Sequence, residues 1–430
     1  MMTNSTADLF TNDTSENWAG FTPTRDAAEA RLKSFVSSAG SAYARTRNFD
    51  HGPDDRSNVS VLSPYIRHRA VTEEEVLRET LSAHSFSKAE KFIQEVYWRT
   101  YFKGWLEHRP SAWRSYCQTI SSLSSDLEKN AGRARAYAQA TTGTTGIEGF
   151  DSWAQELVET GYLHNHARMW FASIWIFTLK LPWEWGADFF LRHLLDGDPA
   201  SNTLSWRWVA GLHTKGKTYL ARASNIEQYT NGRFCPEGKL ATYAEALDET
   251  TPHPKQPLSN GDDVPADVPY LLLITEEDLS PAGLEIASAP KMVLGLPPAL
   301  SYQDQNFAPA LAEPVLRFKS ALHQDAMERA AKNLGCQSEM LSIGSIEETA
   351  NAIAGFAKMV DVKTIATAFA PQGPTRDLLD ALEGKLASNG HQLKRIQRAY
   401  DAAAWPHASK GFFALKSKIP MLLAEAGITG

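Results

Sequence analysis

Two short segments between His164 and Trp208 carry the densest set of polar, charged and indole side chains in the chain. Asn165, Arg168 and Met169 stand at i, i+3 and i+4, so a helix here places them on one face where they can line a pocket together. Trp170, Ile174 and Phe177 then supply the buried side. The turn Asp196-Gly-Asp198-Pro starts a second helix on which Asn202 and Trp206 are four apart, while Trp208 lies about 200° round the axis from Trp206. One indole can face a pocket while the other faces away. An aromatic core helix explains the tryptophans alone, but not the polar set. A buried Arg168 needs an anion, and Asp196 or Asp198 can be its partner.

Upstream, Ser60-Val-Leu62-Ser63-Pro-Tyr is a hydroxyl-bearing segment able to offer hydroxyls and backbone N–H groups to a phosphate. Glu95, Trp98 and Arg99 share a helix face at i, i+3 and i+4; taken alone, a surface Glu–Arg pair accounts for them. Gly143-Thr-Thr-Gly146-Ile-Glu-Gly149 lacks the G-x-G-x-x-G form and no strand precedes it, which excludes a dinucleotide loop there. His164 and His166 point apart on a helix, a poor metal pair. Asp196 to Asn202 lacks the glycine and terminal glutamate of a calcium loop. No metal is expected.

The pattern H164-N-x-x-R-M, Trp183, D196-G-D-x-A-x-N and W206-x-W208 resembles the flavin-binding core of the photolyase/cryptochrome family, and several fixed spacings must coincide for it to do so. Three further elements are similar to the same family: Tyr43-x-x-x-Arg47, the Ser60–Ser63 segment, and Glu95-x-x-Trp98-Arg99, which continues Thr-Tyr here where the family has Glu-Phe. Gly143 to Asp151 is similar to the family's turn before the flavin helices.

The resemblance implies FAD. Tyr43, Arg47, Ser60, Leu62, Ser63 and Arg99 would lie toward the cofactor, the first five near its phosphates. Arg168 and Asp196 would pair beside the ring system, with Asn165 near them, Asp198 would contact polar flavin atoms, and Asn202 would sit opposite N5. A neutral amide exchanges hydrogen bonds with N5 in either protonation state, which suits a flavin that is stable when reduced. Glu95, Trp98, Asn165, Met169 and Trp208 are similar to the pocket that dimer-repairing members present to a flipped-out lesion. Trp206 and Trp183 are similar to the inner and middle members of the family's tryptophan relay. Asn130 falls where the outer one is expected, so either Trp113 or Tyr137 takes its place after a loop shift or the relay leaves by another route. The implied activity is blue-light electron transfer to pyrimidine dimers in DNA, a lyase reaction, with damaged DNA as partner. The alternative is a cryptochrome-type photoreceptor that signals to a protein partner. A second, antenna chromophore cannot be assigned.

At 430 residues and 43% hydrophobic content the chain is long enough for two domains. A net charge of −7 argues against a pervasively basic nucleic-acid surface and suits a cytoplasmic protein. Cys117, Cys235 and Cys336 are odd in number, far apart and without metal spacing, so they are read as reduced thiols. The polar first residues show no secretory layout, and the longest apolar run, Met169 to Leu181, is too short for a membrane span.

The expected architecture is a mostly α FAD-binding domain followed by a smaller α/β domain, Rossmann-like with a parallel sheet. Residues 1–22 are a flexible amino terminus, 23–235 the helical domain, 236–267 a Pro/Gly/Asp-rich linker, and 268–430 the α/β domain. Helices are expected over Thr24–Ser38, Thr72–Ala83, Lys88–Leu106 and Ser125–Ala140. Beyond residue 265, strands beginning at Tyr270, Met292, Glu339, Thr364 and Gln392 alternate with helices Leu311–Leu334, Ile346–Met359 and Arg376–Ala387, the mark of a parallel sheet covered by helices. The resembled family carries such a domain before its helical one; here it follows. Pro371-Gln-Gly-Pro, at a strand's carboxyl end, is a candidate ligand crevice.

Overall fold

The computed structural model describes residues 20–299 and 311–428; residues 1–19 of the expected flexible terminus lie outside them. The first half is helical throughout: α1 (Arg25–Val36), α2 (Ser41–Thr46), α3 (Ser63–Arg67), α4 (Glu73–Ala83), α5 (Phe86–Glu107), α6 (Pro110–Lys129), α7 (Ala131–Thr142), α8 (Glu148–Thr160), α9 (Asn165–Ser173), α10 (Trp183–His193), α11 (Pro199–Val209) and α12 (Ala223–Tyr229). Local chemistry sets many of these ends. Thr24 caps α1 by accepting from the Ala27 amide, and Thr72 and Glu75 form a reciprocal capping box at α4.

The single helix expected over Ser125–Ala140 is two. Asn130 leaves the helical region at φ −125° and ψ 91°, and its side chain accepts from the Arg133 amide to start α7. The asparagine wins because its side chain can replace a missing backbone acceptor at that point. A second surprise follows α9, which widens into one π turn over Ile174–Thr178, all but its last residue buried.

From Thr230 to Pro269 the described chain has neither helix nor strand. It is nonetheless held down, for instance by the Gln256 amide donating to the His108 carbonyl at 2.7 Å. The sheet then forms from β1 (Tyr270–Ile274), β2 (Met292–Gly295), β3 (Gln337–Met340), β4 (Thr364–Ala368) and β5 (Gln392–Ile396). All neighbours are parallel, in the order β3-β2-β1-β4-β5. The strand expected from Glu339 begins two residues earlier, as an edge strand whose side chains alternate between exposed and half-buried. Helices α13 (Glu313–Leu334), α14 (Ile346–Met359) and α15 (Pro374–Ser388) make the crossovers after β2, β3 and β4, and α16 (Ala399–Ala404), α17 (Phe412–Lys416) and α18 (Ile419–Glu425) close the described chain.

Period-two alternation divides the sheet's apolar side chains. Leu271 and Leu273 join Met292, Leu294, Ile365 and Leu393 in a core under α14 and α15. Tyr270, Leu272 and Ile274 point the other way, into a core continuous with that of the helical half. The two halves approach closely there. At Gly104 on α5, a Cβ atom would lie 2.8 Å from the Ala408 side chain and 3.0 Å from the Trp405 backbone, so this contact admits only glycine.

The crevice expected at Pro371-Gln-Gly-Pro is filled by the helical half. The Glu107 carboxylate of α5 accepts from the Gln372 amide at 2.6 Å, and Gly373 abuts Pro199 of α11. At the β1 end, which with β4 forms the switch point of the sheet, Glu277 holds Arg67 of α3 through two bonds of 2.7 and 2.8 Å. The switch point is a joint between the halves.

Candidate functional site

The loop Leu194–Asp198 connects α10 to α11 and carries two aspartates, both essentially without solvent contact. It is placed from several sides. Leu195 donates to the Gly161 carbonyl at 2.9 Å, and Arg67 donates from Nε to the Gly197 carbonyl at 3.1 Å. Asp198 caps α11 by accepting from the Ser201 amide at 2.7 Å, with Pro199 at the first helical position. Gly186 of α10 lets α11 approach, since a Cβ there would fall 2.2 Å from the Trp206 ring.

Arg168 pairs with Asp196 at 3.0 Å and fixes its own direction by a second bond to the Leu163 carbonyl. The other aspartate is surrounded but not satisfied. Asp198 Oδ2 lies 3.6 Å from Arg99, 3.7 Å from Lys103 and 3.8 Å from Arg67, all beyond hydrogen-bond distance. Burial alone would raise both carboxyls, yet Arg168 holds Asp196, and Lys103, Arg99 and Arg67 hold Asp198, below the usual carboxylate range. Around them Asp196 Oδ1, Asp198 Oδ2, Ser201 Oγ, and Nε and one terminal nitrogen of Arg99 are buried without a hydrogen-bond partner. Single atoms are left so elsewhere, among them Trp405 Nε1 and Thr349 Oγ1, but here several gather. Donors and acceptors together, converging on one loop, fit a polar ligand with both kinds of group, such as a flavin.

Asn202 donates its amide to the Ala187 carbonyl at 2.7 Å, which leaves its amide oxygen as an acceptor. Beside Ser60 a cavity of about 410 Å³ is lined by Arg31, Arg56, Ser34, Ser38 and Ser57. Leu62 is fully buried, and its amide turns back to the Ser60 hydroxyl at 3.4 Å.

Arg47 does not stand free near a phosphate: it pairs with Glu95 at 2.5 Å, joining α2 to α5. Tyr43, one turn earlier, is wedged edge-on between Phe35 and Phe92. The two histidines that make a poor metal pair serve this segment instead. His164 Nδ1 accepts from the His166 amide, so Nε2 carries the proton and donates to the Arg47 carbonyl at 3.0 Å, while His166 meets the Asn48 carbonyl. Burial pushes His164 down to about 4, which keeps it neutral.

Trp98 is half-buried and its ring is stacked on Phe412 of α17, with centroids 3.8 Å apart. Trp208 is half-buried against Tyr219, Met169 is half-buried and Asn165 exposed. Trp206 is buried among Phe190, Trp175 and Phe171. Trp183 stacks on Tyr116 at 5.6 Å and Tyr116 meets Trp113 at 5.5 Å, whereas the Tyr137 ring meets Trp175 and Trp185. Three contributors escaped the sequence: Lys103, Tyr116 and Phe412. Lys103 stands one turn beyond Arg99 on the same helix face and Tyr116 one turn beyond Trp113, spacings that mark both. Nothing local marks Phe412, which arrives from the far end of the chain.

Residues 92–242 match the family described as the FAD binding domain of DNA photolyase. The chain is 32% identical over 220 residues to a deoxyribodipyrimidine photo-lyase of a Synechococcus species, covering 48% of this chain and 43% of that protein. It is 31% identical over 204 residues to one of Agrobacterium fabrum, covering 46% and 40%. Among solved structures, a bacterial class III photolyase from Agrobacterium tumefaciens is 26% identical and covers 51% of this chain and 46% of that one, with a TM-score of 0.43. Over residues 92–242 the helical half is thus similar to the FAD-binding domain of the photolyase/cryptochrome family. The chain spans less than half the length of these curated relatives. Among the described residues no helix is long and apolar enough to cross a membrane.

Proposed function

We propose that this protein is a cytoplasmic, blue-light-dependent lyase that repairs pyrimidine dimers in DNA. The observation that carries the reading is the set of unsatisfied buried groups on Asp196, Asp198, Ser201 and Arg99, lying within the segment that matches the photolyase flavin domain. Bound FAD, when reduced and excited, supplies the electron. Everything else falls to the side chains.

Arg168 with Asp196, and Arg99 with Asp198, would hold the ring system, with Asn165 near them. Ser60, Leu62 and Ser63 would face the phosphates, next to the arginine- and serine-lined cavity, with Tyr43 and Arg47 anchoring the neighbouring helix. The Asn202 amide oxygen would accept from a protonated N5 and so favour the reduced cofactor. Glu95, Trp98, Asn165, Met169 and Trp208 would receive the extruded lesion. Burial raises the Glu95 carboxyl despite Arg47, and that carboxyl would face the lesion. Trp206 and Trp183 would pass electrons from the protein interior.

The test is blue light on the reduced, FAD-loaded protein mixed with an oligonucleotide that contains a pyrimidine dimer. Dimer cleavage is expected; its absence with flavin bound ends the proposal. A second reading, a photoreceptor signalling to a protein partner, draws on one observation: Glu95 and Trp98 are already engaged, by Arg47 and Phe412. Equal affinity for irradiated and undamaged DNA in an electrophoretic shift would favour that reading.

A further inference from the structure

Helix α17 comes from the sheet-bearing half yet completes the aromatic wall around Trp98. Phe412 stacks on Trp98 with planes 12° from parallel, and the Tyr101 hydroxyl donates to the Lys410 carbonyl at 2.9 Å. These contacts fix where the next side chain goes. Phe413 stands in solvent, 81% exposed, more than any other large apolar side chain among the described residues. An isolated exposed phenylalanine needs no explanation, but this one has a charged setting. Lys410 and Lys418 flank it, both exposed and neither paired with a carboxylate among the described residues. Lys416 bridges to Glu90 at 3.2 Å and ties the segment to α5, where exposed Lys91 precedes Glu95 by one turn. In a chain of net charge −7 this is a basic strip with an aromatic tip, beside the wall that Trp98 presents.

We propose that Lys410, Phe413 and Lys418 form a DNA contact supplied by the sheet-bearing half. The lysines take backbone phosphates flanking the nucleotide presented to Trp98, and Phe413 stacks against the base step left open beside it. Exposed rings interleaved with cations match a strand with unstacked bases. A membrane surface asks for a broader apolar face, whereas the neighbouring outward positions are Ala414 and Ser417. The inference rests on the repair reading and adds which surface grips the DNA.

The experiment is dark binding of a fluorescent dimer-containing duplex to the FAD-loaded 430-residue chain across a salt series. Phe413→Ala should weaken binding about tenfold. Lys410→Gln with Lys418→Gln should reduce the slope of log affinity against log salt by about 2, whereas Lys332→Gln with Lys358→Gln, the same charge change elsewhere, should not. An unchanged visible flavin spectrum shows that each variant is folded. If Phe413→Ala binds within twofold of wild type, or the slope matches that of the control pair, the proposed surface is wrong while repair by the wild type still stands. If the wild type itself shows no preference for the dimer, both readings fall. Anionic phosphatidylserine vesicles are the second arm: binding that is lost in Phe413→Ala while DNA binding persists assigns the surface to a membrane and overturns the proposal.

Discussion

Asp278 at the joint and Asp198 in the α10–α11 loop are the same residue type, equally buried and both ringed by cations, yet they are used differently. Asp278 is saturated. Arg398 grips it at 2.5 and 2.8 Å, the Ser280 amide donates to it at 3.1 Å, and Arg69, itself clamped to Asp401, stands at 3.4 Å. Asp198 has three cations at 3.6 to 3.8 Å and no bond from any of them. Satisfied buried charge fixes a conformation; charge held in place but left short of partners is a site waiting for a ligand. The joint is the lock, and the loop is the socket.

The largest effect should come from breaking the lock. Asp278→Ala strands the buried Arg398 guanidinium, and the loss of one partner of a buried pair costs about 3–5 kcal/mol. Urea denaturation should show that fall; a loss under about 1 kcal/mol would mean the joint is no more than a surface contact. Asp198→Asn should invert the pattern. Retention of FAD should drop at least about tenfold, while the flavin-free protein loses less stability than Asp278→Ala does. Equal stability losses with unchanged flavin retention would erase the distinction between lock and socket.

Parts of the α10–α11 loop were legible in the sequence and the lock was not. A buried Arg168 calls for Asp196 or Asp198 as its partner and the family resemblance implies Asp196, while D-G-D-P reads directly as the start of α11 because that turn is local in the chain. The Arg67–Glu277 and Arg69–Asp401 pairs join residues 210 and 332 positions apart, and no local pattern announces them. The same limit explains the crevice read at Pro371: the strand end was correctly seen, but Glu107 reaches it from another half of the chain. Asn130 was misjudged for the opposite reason. Its neighbours other than Gly132 favour helix, and one side-chain bond overrode them.

Acid should loosen lock and socket together. Burial raises Asp278, Glu276, Asp196 and Asp198, but their cations outweigh it and hold all four below the unfolded range. Their contribution is therefore complete above about pH 4 and is lost as pH falls below it. Glu184 has the opposite sign. Burial beside Trp183 pushes it up to about 7, so folding favours its protonated form and stability declines as pH rises from about 4.5 toward that value. Glu184→Gln should add on the order of 1–2 kcal/mol at pH 8, allowing for partial solvation, and nothing at pH 4. Stabilisation at both pH values would trace the gain to packing.

The smallest effect tests whether lock and socket communicate. The ring contacts from Trp183 pass through Tyr116 to Trp113, whose indole N–H donates to Asp377 of α15 at 3.0 Å. A relay along this path ends inside the joint, at a carboxyl that burial raises and that is therefore disposed to accept a proton. Trp113→Phe keeps an aromatic ring but removes both the easily oxidised indole and its bond to Asp377, so photoreduction of the flavin-loaded protein should slow several-fold. Tyr137→Phe should leave the rate unchanged, because the Tyr137 ring meets Trp175 and Trp185 and its hydroxyl accepts from Arg192. If the two variants behave the other way round, electrons leave between α7 and α10, and the joint is purely mechanical.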